Sequence, residues 1–253
     1  MQALFGRNSE APIPVIAPAT PGDCFWVAIE ASRIAIKHMV PVIILSDGYL
    51  ANGAEPWKIP EVAELPEIPV HFATDPVGFQ PYRHDPVTLA RPWAIPGTPG
   101  LEHRIGGIEK QDVTGNVNYD PLNHEHMVRL RAAKVEAVAD DIPDLVPEGD
   151  PSGELLIVAW GSTHGPITAA LKAQRAKGRR IGHVHLRHLN PLPKNLGELL
   201  KCYDQVLVPE MNMGQLIMLL RAKFLVDAQG LNKIQGKPFK QLEIEAKIEE
   251  MLG

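Results

Sequence analysis

Cysteine is scarce in this chain. Only Cys24 and Cys202 occur among 253 residues, and they lie far apart in the sequence. Two distant thiols cannot build a disulfide framework, a zinc ribbon or the ligand run of an iron–sulfur cluster. We therefore expect two reduced thiols in a cytoplasmic protein.

Long apolar stretches and dense basic blocks are also missing. The longest apolar run, around residues 39–45, is much too short to cross a bilayer. The opening "MQALFGRNSE" lacks the basic and then apolar layout of a signal peptide. The net charge is −5 and no Lys/Arg cluster offsets it, which argues against a nucleic-acid surface. We expect contact with neither membranes nor nucleic acids.

Proline, by contrast, is abundant. The chain holds 24 prolines, and ten of them fall between Pro56 and Pro99. Because proline lacks a backbone donor and disrupts helix interiors, this region is predicted to be an extended, irregular connector. Residues 101–120 follow with the turn signals "GG" and "TGN", which are typical of a loop or loose hairpin.

A strand–helix–strand pattern comes before this connector. "IPVIAP" (13–18) reads as a buried strand, and a helix follows with Asp23 as its predicted N-cap. The continuous apolar run in "VPVIILSDG" (40–48) is typical of a parallel strand covered on both faces. Two strands and one helix leave both sheet edges unpaired. Either other segments of the chain complete this sheet, or its missing strands lie on another chain or in a longer parent protein.

The remainder of the chain alternates between helices and strands. Asn123 is the predicted cap of a helix over 123–142, and a polar linker follows at 143–154. The alternation predicts a parallel α/β sheet with right-handed crossovers. Its predicted strands are 155–160, 181–189 and 205–210, and its predicted helices are 166–177, 192–202 and 211–224.

The segment "HVHLRHLNPLP" (183–193) raises the question of a metal site. On one strand, His183 and His185 share a face with Arg187, whereas His188 faces away. A third ligand is missing and the arginine repels a cation, so we interpret the histidines as strand-end architecture or interface. No metal ligand is assigned.

The turn "GSTHG" stands between a predicted strand and helix, where backbone donors attract phosphate or carboxylate. It matches neither a Walker loop nor a dinucleotide fingerprint, and a plain strand-to-helix turn is the alternative. The pair Ser162 and His164 lacks an orienting acid, so no catalytic set is assigned. The candidate ligand or interface residues of this turn are Gly161, Ser162, Thr163 and His164.

Two other strand ends carry polar candidates. In "PEMNMGQL", Glu210, Asn212 and Gln215 follow the end of a strand, the position at which open α/β sheets bind ligands. The alternative is a helix capped by Asn212 with Glu210 held by backbone amides. Asp47 in "SDGY" also follows a strand, and we favour a turn in which it accepts amide bonds.

Several segments form a pattern when they are read together. They are "GRNSEAPIPVIAPATPGDCFWVAIEASRIAIKHMVPVIILSDGYLANGAEPW", "PGTPGLEHRIGGIEK", "TGNVNYDPLNHEHMVRLRAAKVE", "VAWGSTHGPI", "LRHLNPLP", "VPEMNMGQL" and "KIQGKPF". In this order they resemble the alpha subunit of 2-oxoacid:ferredoxin oxidoreductases, particularly the 2-oxoglutarate type. The resemblance covers essentially the whole chain.

The resemblance implies a thiamine-diphosphate enzyme that oxidatively decarboxylates a 2-oxoacid to an acyl-CoA and passes electrons to ferredoxin. In this family the alpha subunit supplies the pyrimidine-binding domain and a domain like the transketolase C-terminal domain. The beta subunit supplies the site for diphosphate and Mg²⁺ and an iron–sulfur cluster. A dimer of such heterodimers is the implied assembly.

The family's pyrimidine domain begins upstream of the segment matched by Met1, so we expect a C-terminal portion of the alpha subunit. The implied fold class is α/β: an incomplete thiamine-enzyme pyrimidine-type α/β unit, then a transketolase C-terminal-like parallel α/β domain. The implied boundaries are 1–56 for the pyrimidine-domain remnant, 57–150 for the connector with one helix, and 151–253 for the second domain.

The family's activating glutamate falls upstream of this alignment, so no catalytic residue is carried over. We expect the isolated chain to bind no cofactor and to be inactive without the upstream segment and the beta subunit. The alternative is a stand-alone anion- or nucleotide-binding or structural α/β module.

Overall fold

The computed structural model describes residues 1–253, and the chain forms two compact units. The first unit comprises Met1–Val15, Ile29–Ile43 and Lys58–Asp141. The second unit comprises Ile16–Ala28, Ile44–Trp57 and Ile142–Gly253. The domain boundaries expected after residues 56 and 150 stay predictions.

The secondary structure consists of eight strands, eight α-helices and three short 3-10 helices. The strands are β1 Val15–Ile16, β2 Ile43–Ile44, β3 Glu148–Gly149, β4 Gly153–Ala159, β5 Ile181–His185, β6 His188–Asn190, β7 Tyr203–Glu210 and β8 Ala228–Asn232. The α-helices are α1 Gln2–Phe5, α2 Asp23–His38, α3 Gly48–Asn52, α4 Pro121–Ala137, α5 His164–Ala176, α6 Leu196–Lys201, α7 Gln215–Phe224 and α8 Gln241–Leu252. The 3-10 helices are Val62–Glu64, Val138–Asp141 and Gly161–Thr163. None of the helices is both long and apolar enough to traverse a lipid bilayer.

A five-stranded sheet organises the second unit. Its strand order is β3-β5-β4-β7-β8, and every pair is parallel except β3 with β5. The predicted parallel sheet is therefore confirmed. The sequence analysis missed β8, because its "AQGLN" is polar, and it missed β3, which lies inside the predicted polar linker.

The core of the second unit lies between this sheet and helices α5 and α8. The continuous apolar run of β4 is fully buried, as expected for a central parallel strand. Each fully buried aliphatic side chain contributes roughly 1.5–3 kcal/mol through removal of apolar surface from water. The main members are Leu155, Ile157, Ile167, Leu171, Ile181, Leu207, Phe239, Ile244 and Ile248.

A second, small sheet has the order β2-β1-β6. The amide of Ala17 donates to the Arg187 carbonyl, and the amide of Leu45 donates to the Ile16 carbonyl, each at 2.8 Å. The predicted strands 13–18 and 40–48 are thus only two residues long. The prediction of one strand over 181–189 is wrong: the chain leaves the large sheet after β5 and pairs with β1 through β6. The chain itself therefore supplies a third strand of the small sheet.

Two predicted helix caps differ in the structure. Helix α2 starts at Asp23 itself, and the Thr20 hydroxyl accepts the Asp23 amide at 3.2 Å. Helix α4 is capped by Asp120, whose carboxylate accepts the Leu122 amide at 2.9 Å. Pro121 occupies the first helical position, where its fixed φ is favourable, so the helix begins before Asn123.

The predicted connector and loose hairpin are confirmed in the first unit. Residues 57–120 contain no helix beyond the single turn at Val62–Glu64 and no strand longer than an isolated bridge. The hairpin is closed by the Gln111 amide, which donates to the Asn116 carbonyl at 2.7 Å. The Trp93 indole donates to the Ile36 carbonyl at 3.0 Å, which ties the connector to the end of α2 within this unit.

Candidate functional site

A cleft of about 670 Å³ opens in the second unit beside the ends of β4 and β7. Ligands of parallel α/β sheets bind at the carboxyl ends of strands, and this cleft has that position. Its polar lining residues are Thr20, Asp47, Tyr49, Asn52, Glu55, Ser162 and His164, and Met211 and Pro238 supply apolar surface.

Asp47 connects two turns at the cleft. Its Oδ1 accepts the amides of Tyr49 and Leu50 at 3.0 Å each, which caps α3 as the turn interpretation predicts. Its Oδ2 accepts the Ser162 amide at 3.1 Å. The anion-binding interpretation of the 161–165 turn requires free backbone amides. The Ser162 amide is not free, because it already donates to the Asp47 carboxylate.

The turn at 161–164 is largely buried. Gly161 has φ +65°, a left-handed conformation that glycine adopts without strain. The Thr163 hydroxyl donates to the Trp160 carbonyl at 2.8 Å, and the Ser162 hydroxyl donates to the Met211 sulfur at 3.6 Å. His164 begins α5 and lines the cleft. Ligand binding by these residues stays a prediction.

Glu210 is buried at the end of β7 and faces the start of α7. Its carboxylate accepts the amides of Leu216 at 2.8 Å and Ile217 at 3.1 Å, and the Asn212 side-chain amide at 3.1 Å. The Asn212 side-chain oxygen accepts the amides of Gly214 and Gln215 at 2.8 and 2.9 Å. This geometry is the capping alternative, and the helix dipole favours the negative charge there.

Three imidazoles pack together beside the cleft. The His185 ring centroid lies 4.9 Å from that of His164 and 5.4 Å from that of His183. Burial lowers the pKa of His183 to about 4, against a smaller opposing effect of Glu148. Burial, His183 and His164 together hold the pKa of His185 well below its usual range. Both rings are therefore neutral at pH 7.

The two buried rings form a chain between two acceptors. His183 Nδ1 lies 3.4 Å from Glu148 Oε2, His185 Nδ1 lies 3.4 Å from His183 Nε2, and His185 Nε2 lies 3.0 Å from the Gly161 carbonyl oxygen. Two neutral imidazoles supply only two N–H donors, so at most two of these three contacts are hydrogen bonds at one time. His188 lies apart from them on β6, and no group of three or more potential ligands is arranged to hold a metal ion.

Glu55 is a cleft residue that the sequence analysis missed. Its carboxylate accepts the Thr20 hydroxyl at 2.6 Å and the Gly22 amide at 2.5 Å. The Thr20 hydroxyl, followed by the Gly22 amide, lowers the pKa of this exposed carboxyl, which keeps it ionised. No local motif identifies Glu55, because its partners lie 33 and 35 residues away in the sequence.

Two known protein families match successive parts of this chain. The family "Pyruvate flavodoxin/ferredoxin oxidoreductase, thiamine diP-bdg" matches residues 1–119. The family "Pyruvate:ferredoxin oxidoreductase core domain II" matches residues 153–241. The KorA subunit of 2-oxoglutarate oxidoreductase from Mycobacterium tuberculosis is 52% identical over 96% of this chain. The chain is a homologue of part of the 2-oxoacid:ferredoxin oxidoreductase alpha subunit.

Two further relatives match this chain over its whole length. Subunit alpha of 2-oxoacid:ferredoxin oxidoreductase 2 from Aeropyrum pernix is 30% identical over 100% of the chain. The solved structure of 2-oxoglutarate:ferredoxin oxidoreductase from Magnetococcus marinus, with 2-oxoglutarate, coenzyme A and succinyl-CoA bound, matches with a TM-score of 0.92 and 28% identity over 100% of the chain. The expected α/β fold and the resemblance to the family are thereby confirmed.

The homology concerns only part of each relative. This chain spans 37% of the M. tuberculosis subunit, 40% of the A. pernix subunit and 44% of the M. marinus chain. The chain that carries the cleft residues thus matches less than half of each of these relatives.

Proposed function

We propose that this chain works as part of the alpha subunit of a thiamine-diphosphate-dependent 2-oxoacid:ferredoxin oxidoreductase. The reaction is the oxidative decarboxylation of 2-oxoglutarate, or a similar 2-oxoacid, to its acyl-CoA. The observation that carries the proposal is 52% identity over 96% of the chain to a 2-oxoglutarate oxidoreductase subunit. The M. marinus relative, which was solved with 2-oxoglutarate and coenzyme A bound, supports the choice of substrate class.

The cleft residues of this chain do not fit the diphosphate end of the cofactor. The cleft lining has two carboxylates, Asp47 and Glu55, and neither lysine nor arginine. Asp47 already accepts three backbone amides, and Glu55 is ionised and exposed. Both carboxylates already accept hydrogen bonds from this chain and no lysine or arginine lines the cleft, so we assign the cofactor and its Mg²⁺ to other segments of the assembled enzyme.

The proposed role of this portion is structural support and subunit contact. A beta subunit carries the iron–sulfur cluster in this proposal, because the free thiols Cys24 and Cys202 cannot ligate one. The proposed assembly is a dimer of alpha–beta heterodimers that passes electrons to ferredoxin. Its location is cytoplasmic, where unpaired thiols are the rule. The proposed domains remain 1–56, 57–150 and 151–253.

A binding experiment tests this assignment. The tagged chain is mixed with the beta subunit of the M. tuberculosis enzyme, and the complex is isolated by size exclusion. We expect co-elution of a cluster-containing beta subunit, with the chain alone inactive toward 2-oxoglutarate and methyl viologen. Reduction of viologen by the chain without any partner would refute the proposed division of labour.

A further inference from the structure

A separate hollow of about 390 Å³ lies in the first unit, between α4 and the loop that precedes it. Its lining is rich in cations: Arg91, Lys110, Arg131 and Lys134, with His84 beside them. Glu109 is the one acidic residue of the lining. Four cationic side chains against one carboxylate leave this hollow electropositive.

The single carboxylate is already committed. Glu109 Oε1 accepts the Arg131 guanidinium at 3.2 Å, and Glu109 Oε2 lies 2.5 Å from His124 Nδ1. Lys110 is buried, and its ammonium donates to the carbonyls of Gly106 and Ile108 at 2.6 and 2.7 Å. Both acceptors are neutral carbonyls, so they hydrogen-bond the Lys110 ammonium but do not neutralise its positive charge.

Arg91 and Lys134 have no carboxylate partner. The Arg91 guanidinium lies over the Tyr82 ring, with its central carbon 4.5 Å from the ring centroid, and it donates to the Pro81 carbonyl at 3.4 Å. Lys134 donates to the Met39 carbonyl at 3.1 Å. Burial, and then repulsion by Arg91 and Arg131, lowers the pKa of Lys134 to about 8.

A purely structural role does not account for this arrangement. A single lysine is enough to donate a hydrogen bond to the Met39 carbonyl. Further cations beside that lysine only add electrostatic repulsion. Uncompensated charge in a partly buried hollow is unfavourable unless an anion joins it. Guanidinium and ammonium groups are the donors that phosphate oxygens require, and in this hollow Arg91 and Lys134 have no carboxylate partner.

We propose that the hollow lined by Arg91, Lys110, Arg131 and Lys134 binds the phosphate group of a small molecule. A dianion matches the excess of positive charge better than a single carboxylate does. Free phosphate and a phosphate monoester present the same group, and the experiment distinguishes them. This site stands in the first unit, and it does not rest on the oxidoreductase assignment.

The test is calorimetric titration of the full chain with inorganic phosphate at constant ionic strength. Lys134→Met and Arg91→Met each remove one converging cation while keeping an unbranched side chain. We expect each to weaken binding at least tenfold, because a charge-assisted bond to the ligand is lost. Lys134→Met also removes a partly buried charge, so the variant is expected to unfold at a higher temperature than the parent without phosphate.

The matched control is Arg129→Met on the same helix, where the arginine is exposed and paired with Glu125 at 2.6 Å. It removes the same charge outside the hollow, and phosphate binding should be unchanged. Glycerol phosphate that binds more tightly than phosphate identifies a monoester as the ligand, and the reverse order identifies free phosphate. Equal losses in Arg129→Met and Lys134→Met, absence of phosphate binding, or tighter binding of succinate than of phosphate would overturn the proposal.

Discussion

At the scale of single residues, buried His183 is the clearest source of pH dependence. Its folded pKa of about 4 lies below its ordinary value of 6.5, so the unfolded chain binds a proton more readily. The contribution of the neutral ring to stability is therefore complete above pH 6.5. It is lost as the pH falls from 6.5 toward 4.

Replacement of the His183 ring should reduce the loss of stability at acidic pH. We predict that His183→Gln loses less unfolding free energy than the parent between pH 7 and pH 4.5, because glutamine cannot take up the proton. Urea unfolding at several pH values measures this difference. His71→Gln, an exposed histidine outside the cluster, is the control. Identical pH profiles for His183→Gln and the parent would contradict the buried, neutral ring.

Residue-scale contacts also mark the limit of what the sequence can predict. The amide contacts of Asp47 within its own turn follow from a local rule and were predictable. Its contact with Ser162 spans 115 residues, and Glu55 meets Thr20 across 35. No spacing rule connects residues so distant, so only part of the cleft could be anticipated as separate polar strand ends.

Substitution of Asp47 measures how much its contacts with its own turn and with Ser162 contribute to stability. We predict that Asp47→Ala lowers the free energy of unfolding by about 2 kcal/mol, the upper range for a lost helix cap, because three amides lose their acceptor. Asp47→Asn keeps one side-chain oxygen and should cost less. Thermal unfolding of both variants measures the order. An alanine variant as stable as the parent would exclude the bridging role.

At the scale of elements, buried strands were predictable and boundaries were not. The apolar runs of β4 and β7 identify the parallel sheet, because a strand covered on both faces has no polar alternation. The break between β5 and β6 has no such signal, since its two residues, buried Leu186 and exposed Arg187, continue the alternation of a strand. The pairing of β6 with β1 is a long-range event that local pattern does not encode.

Helix α7 depends on a buried carboxylate at its start. We predict that Glu210→Gln destabilises the fold by about 2 kcal/mol, because an NH₂ group then faces the backbone amides of Leu216 or Ile217. Glu198→Gln in the exposed first turn of α6 is the control and should change stability by only a few tenths of a kcal/mol. Chemical denaturation gives both values. Equal, small effects would mean that Glu210 is not the carboxylate that stabilises this helix start.

At the scale of the whole molecule, this chain matches a portion of the longer alpha subunits of 2-oxoacid:ferredoxin oxidoreductases. It spans 37% of the M. tuberculosis alpha subunit at 52% identity, and its cleft offers carboxylates but no cation for a diphosphate. The proposed function therefore depends on whether this chain can replace its counterpart.

The most direct measurement is the activity of a chimera. The matched stretch of the M. tuberculosis alpha subunit is replaced by this chain, and the chimera is produced with its beta subunit. We predict 2-oxoglutarate- and coenzyme-A-dependent reduction of methyl viologen within about tenfold of the parent enzyme, a change of roughly 1.4 kcal/mol in the activation barrier. A chimera that assembles with the beta subunit but reduces no viologen would contradict the central claim.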